Sequence, residues 1–316
     1  TSVLIVGKEP LPPETVQSLN TAAEAQGLRP LFAPGDEYEA LFEPLRNSNN
    51  LEAYIESDAD YNLAPTDDDQ PYFFNLDHGI PPAIRSALVL AALLAVALLG
   101  LGIYTESQSP QVVRRARWTV LAYAVLIGVG FMLVEIPLIQ RFQVLLGQPI
   151  LSLAVVLATL LLSSGLGSLV SQRWGTERLA GRIRFIGVWI AVVVVIYWFA
   201  LPPLVEALLP TSFAVRLLGI IVLTALLGFP MGMPFPTLLR LAGEGKQQVA
   251  LLWAINGAFS VLGSTLAMVI SMLWGFQWAL LAGAAAYLLM SAVAAMLVRS
   301  AAKVPVSQKL HVQAVR

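Results

Sequence analysis

The sequence has no cysteine and only two histidines, His78 and His311. The first absence excludes disulfides, thiolate metal sites and cysteine nucleophiles. The second, with the two imidazoles far apart along the chain, leaves no histidine cluster to hold a metal. Charge is scarce too: 12% of the 316 residues are charged and 57% are apolar, with a mean hydropathy of +0.72. A soluble domain carries about 25% charged residues, so this chain cannot cover itself with polar surface. No Gly-x-Ser-x-Gly elbow, no His-Glu-x-x-His pair and no Asp-x-Asp-x-Asp-Gly loop occurs, which removes the common signatures of hydrolase, zinc and calcium sites.

What charge there is lies unevenly. Residues 1–80 hold fifteen of the twenty acids but only Lys8, Arg29 and Arg46 among the bases, giving about −12 there and about +11 in the remainder. The net charge of −1 hides a split between a solvated acidic segment and a membrane domain whose basic loops can face anionic lipid. The chain begins with Ser2-Val3-Leu4-Ile5-Val6 already reading as a buried strand, which leads us to expect sequence upstream of Thr1. A helix is expected from Glu14 to Gln26, with Val16, Leu19 and Ala23 at helical spacing and Gly27 at its stop. Leu28–Phe32 fits a second strand, and a further helix is expected around Glu37–Arg46 in an otherwise loop-like stretch.

After Pro81 and Pro82 come apolar runs long enough to cross about 30 Å of hydrocarbon. Spans are expected near Ile84–Tyr104, Trp118–Leu138, Pro149–Ser171, Ile183–Val205, Phe213–Met233, Leu252–Leu273 and Phe276–Val298. The fold class is thus an α-helical polytopic membrane protein with a small N-terminal α/β remnant. Its domains are an acidic segment at 1–80, a helical bundle at 81–300 and a basic tail at 301–316. Thirteen bases fall on one side of these spans, and only Arg85, Arg141 and Arg216 lie close to the membrane on the other. The positive-inside rule then places the C-terminus in the cytoplasm and the acidic segment outside.

Two stretches carry a resemblance. Ala64-Pro65-Thr66-Asp67-Asp68-Asp69-Gln70-Pro71-Tyr72-Phe73-Phe74-Asn75 resembles the closing segment of the aminopropyltransferase-like domain in bacterial spermidine synthase-like membrane proteins. Gly130-Phe131-Met132-Leu133-Val134-Glu135-Ile136-Pro137, with Gln140-Arg141-Phe142, Gly147-Gln148-Pro149 and Gly165-Leu166-Gly167-Ser168, resembles the membrane part of the same proteins. The resemblance implies a Rossmann-like, S-adenosylmethionine-type domain joined to membrane helices in a bacterial inner membrane. The family's glycine-rich loop is missing: Gly7, Gly27, Gly35 and Gly79 are the only glycines before the first span, and none is in a Gly-x-Gly arrangement. A nucleotide needs such a turn beside a helix N-terminus, so no cofactor and no catalytic residue is expected in this chain.

The polar residues that stand out are few. Asp67, Asp68 and Asp69 adjoin one another, and neighbouring side chains diverge in an extended loop, so a solvated turn is expected over a cation site. Glu135 is the one carboxylate well inside an expected span. Either it is a membrane-buried charge needing a partner, with Arg141 or Arg216 available, or Pro137 ends the helix early and leaves it at the headgroups. Gly228-Phe229-Pro230-Met231-Gly232-Met233-Pro234-Phe235-Pro236 breaks the fifth span or ends it in a loop. With Asn256 near the same face, Gly232 suggests an inner polar half-site opposite an outer one at Glu135, Arg141 and Arg216. Small-residue stripes at Thr159, Ser163, Gly167 and Ser171, and at Ser260, Ser264, Ala267 and Ser271, point to close helix packing. Gly130-Phe131 with Pro137 and Arg141 is faintly echoed by Gly228-Phe229 with Pro236 and Arg240.

These features allow three functions. One is a non-catalytic membrane scaffold or complex subunit whose partners are the bilayer and other membrane subunits on the acidic segment or the bundle. The others are a carrier for a small polar or cationic solute, and the membrane half of a fused transferase. No nucleic-acid partner is expected.

Overall fold

In the computed structural model, residues 11–27, 66, 68–72, 75, 79–107, 111–242 and 246–302 are described. The strands expected at 2–6 and 28–32 and the helix at 37–46 lie outside them, and the described residues contain helices, turns and no strand. Nine helices are present among them: α1 Pro13–Ala25, α2 Pro82–Ser107, α3 Gln111–Leu146, α4 Pro149–Gln172, α5 Thr176–Leu208, α6 Phe213–Met231, α7 Pro234–Ala242, α8 Lys246–Trp274 and α9 Phe276–Ala302. Helix α1 belongs to one compact unit, the remaining helices to another. It starts with Pro13 at its first position and Glu14 in its first turn, and Gly27 follows it at φ +70°. Its C-terminal end therefore stops at the glycine expected from the sequence.

Seven stretches are long and apolar enough to cross a membrane, with α6 and α7 counting together as one, Phe213–Leu241. The chain is a multi-pass helical membrane protein. Its outward faces carry Leu90, Ile150, Leu161, Leu162, Phe185 and Phe199, all exposed, as lipid-facing positions require.

Helix α3 is the axis of the bundle, packed along α8 and α9; α9 continues onto α5, α2 lies on α8, and α4 pairs with α6. The core runs along this axis through Tyr123, Leu138, Phe142, Leu160, Ile190, Ile220 and Tyr287. Close approach is built from small residues. A Cβ on Gly167 would strike the Phe229 carbonyl, and one on Gly232 would strike the Ser164 carbonyl. The first small-residue stripe is thus the α4 side of its crossing with α6. Along α8, Gly263 sits against the Val129 backbone, while Ala267 and Ser271 are fully buried.

Two expectations about helix ends are corrected. Pro137 lies inside α3, which continues nine residues further to Leu146. Proline removes one backbone donor and crowds the preceding turn, but here the neighbouring helices hold the chain in register. The proline-rich stretch after Gly228 does not end in an open loop either. Only Gly232 and Met233 interrupt the helices; their N–H groups donate to Gly228 O at 3.1 Å and Pro230 O at 3.2 Å, and α7 starts at Pro234. Local turns thus satisfy groups that hydrocarbon would leave unbonded.

Candidate functional site

The structure gathers its polar chemistry in two places along α3. The first is at the bundle end where α3 meets the α8–α9 turn, and it is occupied by the chain's own segment Thr66–Asn75. This segment groups with the bundle, although a boundary at residue 80 assigns it to the acidic portion.

Asp69 is the centre of that contact. Its carbonyl accepts the Phe276 N–H at 3.1 Å, and its carboxylate accepts the Gln277 N–H, with Oδ1 at 3.3 Å. It therefore sits on the first turn of α9, where unpaired N–H groups and the helix dipole favour an anion. Gly275, at φ +99°, has the left-handed turn between α8 and α9, and a Cβ there would collide with the Asp69 carboxylate. Arg141, on α3, completes the arrangement: Nη1 donates to Asp68 O at 2.9 Å and to Asp69 Oδ1 at 3.3 Å. The pair is largely shielded, with the side chains 10% and 22% exposed, so it is screened less than a surface ion pair.

Three residues on, Tyr72 is buried. Its hydroxyl donates to Gln140 Oε1 at 2.8 Å, and its ring meets the edge of Phe276 with centroids 5.9 Å apart. Burial pushes its phenol from 10.0 up to about 12. Asp68 is exposed, as a solvated turn would have it; Asp69 is not, and that expectation is corrected by the α9 N-terminus and Arg141. Asp67 lies outside the described residues. A small pocket adjoins this latch, lined by Asp69, Pro137, Arg141, Trp198, Phe276 and Gln277, with the buried Trp198 indole N–H unbonded beside it.

The second place is deeper. Glu135 is 5% exposed and lies three residues from the middle of its Trp118–Leu146 span, about 4.5 Å along the helix. Pro137 does not end the helix two residues further on, because α3 continues past it to Leu146. Neither Arg141 nor Arg216 reaches it. Arg141 is engaged by the latch, and Arg216 Nη1 donates to Leu145 O at 2.7 Å, closing the C-terminal end of α3.

The remaining sequence candidates are distributed, not gathered. Gly232 rests on the Ser164 backbone of α4. Asn256 Nδ2 donates to Ala124 O of α3 at 3.1 Å, an interhelical bond of the ordinary kind. Arg240 donates to Ser171 O at 3.0 Å and Trp174 O at 2.6 Å, holding the C-terminal end of α4. Among the described residues no group of three or more acidic or histidine side chains could hold a metal. Sequence reasoning gave no role of their own to Tyr72 and Gln140, which it met only within the resemblance motifs, nor to Tyr123 and Tyr287; the Pro71-Tyr72 step beside Asp69 was the available signal for the first.

No family model matches this chain, and neither a curated protein nor a solved structure matches it.

Proposed function

We propose that the chain is a non-catalytic integral membrane scaffold or complex subunit, related to the spermidine synthase-like membrane proteins, whose bundle fixes the Thr66–Asn75 segment as a rigid docking platform. The latch carries this reading: a polar loop is held by an ion pair, a helix N-terminus and a buried tyrosine, a large investment of specific contacts that suits a fixed platform. Tight glycine-based helix crossings favour a fixed bundle in the same way. The motifs at 64–75 and 130–168 support the family relation. In this reading the protein lies in a bacterial inner membrane, with the latch on the outer side and the C-terminus in the cytoplasm, as the bias of basic residues favours.

The test is purification of the tagged full-length chain from its native membrane into lipid nanodiscs. Stoichiometric subunits are expected, and they are lost in Arg141→Ala while the helical circular dichroism is retained. A lone chain that takes up solute in proteoliposomes, with uptake abolished by Glu135→Gln, would replace the scaffold with the second reading, a carrier for a small polar or cationic solute. That reading draws on the buried, unpaired Glu135. Orientation is tested separately in this cysteine-free chain. Cysteines at Gly175 and Gly243 are expected to be shielded from an impermeant thiol reagent outside intact cells, and one at Ser48 to react.

A further inference from the structure

Helix α3 runs toward the latch and α4 runs back from it, so the turn between α4 and α5 lies at the other end of the bundle. That turn is only Arg173, Trp174 and Gly175, set between two membrane-spanning stretches. Two guanidinium groups converge on Trp174. Arg240, from α7, donates through Nη2 to the Trp174 carbonyl at 2.6 Å and through Nη1 to Ser171 O at 3.0 Å. Arg182, from α5, lies over the indole ring with its Cζ 5.2 Å from the centroid, a cation–π distance. Arg173 is exposed beside them. Among the described side chains no carboxylate pairs with any of the three arginines.

The three have different tasks. Arg240 is committed to backbone carbonyls and fixes the Trp174 platform. Arg182 and Arg173 are not so committed, and a guanidinium stacked on an indole keeps its edge N–H groups free for bidentate bonds to an oxyanion. What reaches them is set by the surfaces that lead there. On α5, Arg182 heads an exposed stripe at helical spacing, Phe185, Trp189 and Val192. On α4, Leu162, Leu166 and Leu169 form such a stripe, and it ends at Arg173. The two helices pack on different partners, α4 on α6 and α5 on α9, which leaves both stripes to the hydrocarbon. Trp174 suits headgroup depth between them. A molecule with an apolar tail along the stripes and an anionic group at their head is a phospholipid.

We propose that the α4–α5 turn binds one anionic phospholipid, its phosphate held by Arg182 and Arg173 and an acyl chain lying along Phe185, Trp189 and Val192. Arg240 is a positioning residue that holds the Trp174 platform in place. A zwitterionic headgroup is disfavoured, because its ammonium would enter a cluster of three arginines with no acid among the described side chains. Basic pockets at the ends of membrane helices recognise lipid headgroups by this chemistry. The site goes beyond the docking platform at the latch and needs no protein partner.

The experiment uses the full-length chain in detergent micelles, with native mass spectrometry counting the lipids retained as phosphatidylglycerol or phosphatidylcholine is titrated in. One phosphatidylglycerol is expected per chain, bound about tenfold more tightly than phosphatidylcholine. Arg182→Gln should weaken phosphatidylglycerol binding about tenfold and Arg173→Gln about fivefold. Arg173 is exposed, so its variant keeps the test valid if Arg182→Gln fails to fold. Arg184→Gln is the control: it removes the same charge about 200° around α5 from Arg182 and should leave the affinity unchanged. Inorganic phosphate in excess should not displace the lipid. Equal affinity for the two lipids overturns the proposal, and so does a loss in Arg184→Gln as large as in Arg182→Gln, which would mean diffuse charge attraction. Displacement by inorganic phosphate overturns it as well, by assigning the cluster to a free anion.

Discussion

The two sides of this bundle are held together differently. Where α4 crosses α6, the contact is backbone on backbone: Gly167 faces the Phe229 carbonyl and Gly232 the Ser164 carbonyl, with no side-chain bond between the two helices among the described residues. Where α3 meets α8 and α9, the approach is also close, but side chains add to it through Asn256 to Ala124, Tyr72 to Gln140, and Asp69 shared between Arg141 and the start of α9. Lipid tails are as apolar as leucine, so burial alone does not drive helices together, and shape and hydrogen bonding must. The first side relies on shape. The second adds polar specificity, and it is the side on which the polar loop docks and the unpaired Glu135 sits.

The largest expected effect tests the first side. Gly167→Val puts branched carbons where the Phe229 backbone already lies, and since the atoms met first are main chain and not the end of a flexible side chain, a loss of about 3 kcal/mol or more is expected. Gly165, on the same helix with nothing within 4 Å of a built Cβ, provides the control; Gly165→Ala should be neutral or stabilise by up to about 1 kcal/mol. Thermal unfolding of both variants in nanodiscs checks the contrast, and equal stabilities would remove shape as the cause. On the second side, Arg141→Ala removes the guanidinium that faces Asp69. The pair is partly exposed, so a loss of about 2 kcal/mol is expected, below that of a fully buried pair. Faster proteolysis within residues 66–75 should accompany it.

Tyr72 sharpens the same side through pH. Its folded phenol titrates at about 12 against an ordinary 10.0, raised by burial. A raised folded value means that the contribution is complete below pH 10.0 and fades as pH rises toward 12. Stability measured across that interval should fall in wild type, and this component of the fall should be absent in Tyr72→Phe. At neutral pH the same variant should lose about 1 kcal/mol with the hydrogen bond to Gln140. A pH profile identical to wild type would mean that Tyr72 is not buried in solution.

The spans were legible because 20-residue apolar runs admit few alternatives: Pro149 opens α4, Phe213 opens α6 and Phe276 opens α9, as expected. The ends of α3 were not, because Pro137 reads as a stop locally and only α8, α9 and α4 around it keep the helix running to Leu146. The latch was half legible. The Asp-Gln-Pro-Tyr stretch stood out through the family resemblance, but the pairing of Asp69 with Arg141 spans 72 residues and leaves no periodic trace. Tyr123 and Tyr287 were invisible for the opposite reason: a tyrosine in an apolar helix looks like an interfacial anchor until its depth is known.

The smallest expected effect is at Asn256, and it decides how much the polar bonds on the second side matter. The amide Nδ2 donates to Ala124 O at 3.1 Å, a carbonyl that the regular helix pattern already pairs with the N–H of Gly128. Losing a second donor leaves no acceptor wholly unbonded, so the penalty for an orphaned buried group does not arise. Interhelical hydrogen bonds in lipid contribute about 0.6 to 2 kcal/mol, and Asn256→Ala should fall near the bottom of that range. The neighbouring close approach, in which Gly128 lies against the Asn256 carbonyl and the Ser260 N–H, survives the change because those two contacts are backbone. Gly128→Ala removes it and should cost several times more. Should Asn256→Ala instead match Gly128→Ala in thermal unfolding, the amide rather than the glycine would be what fastens α8 to α3, and the polar bonds would be the principal fastening on the side where the loop docks.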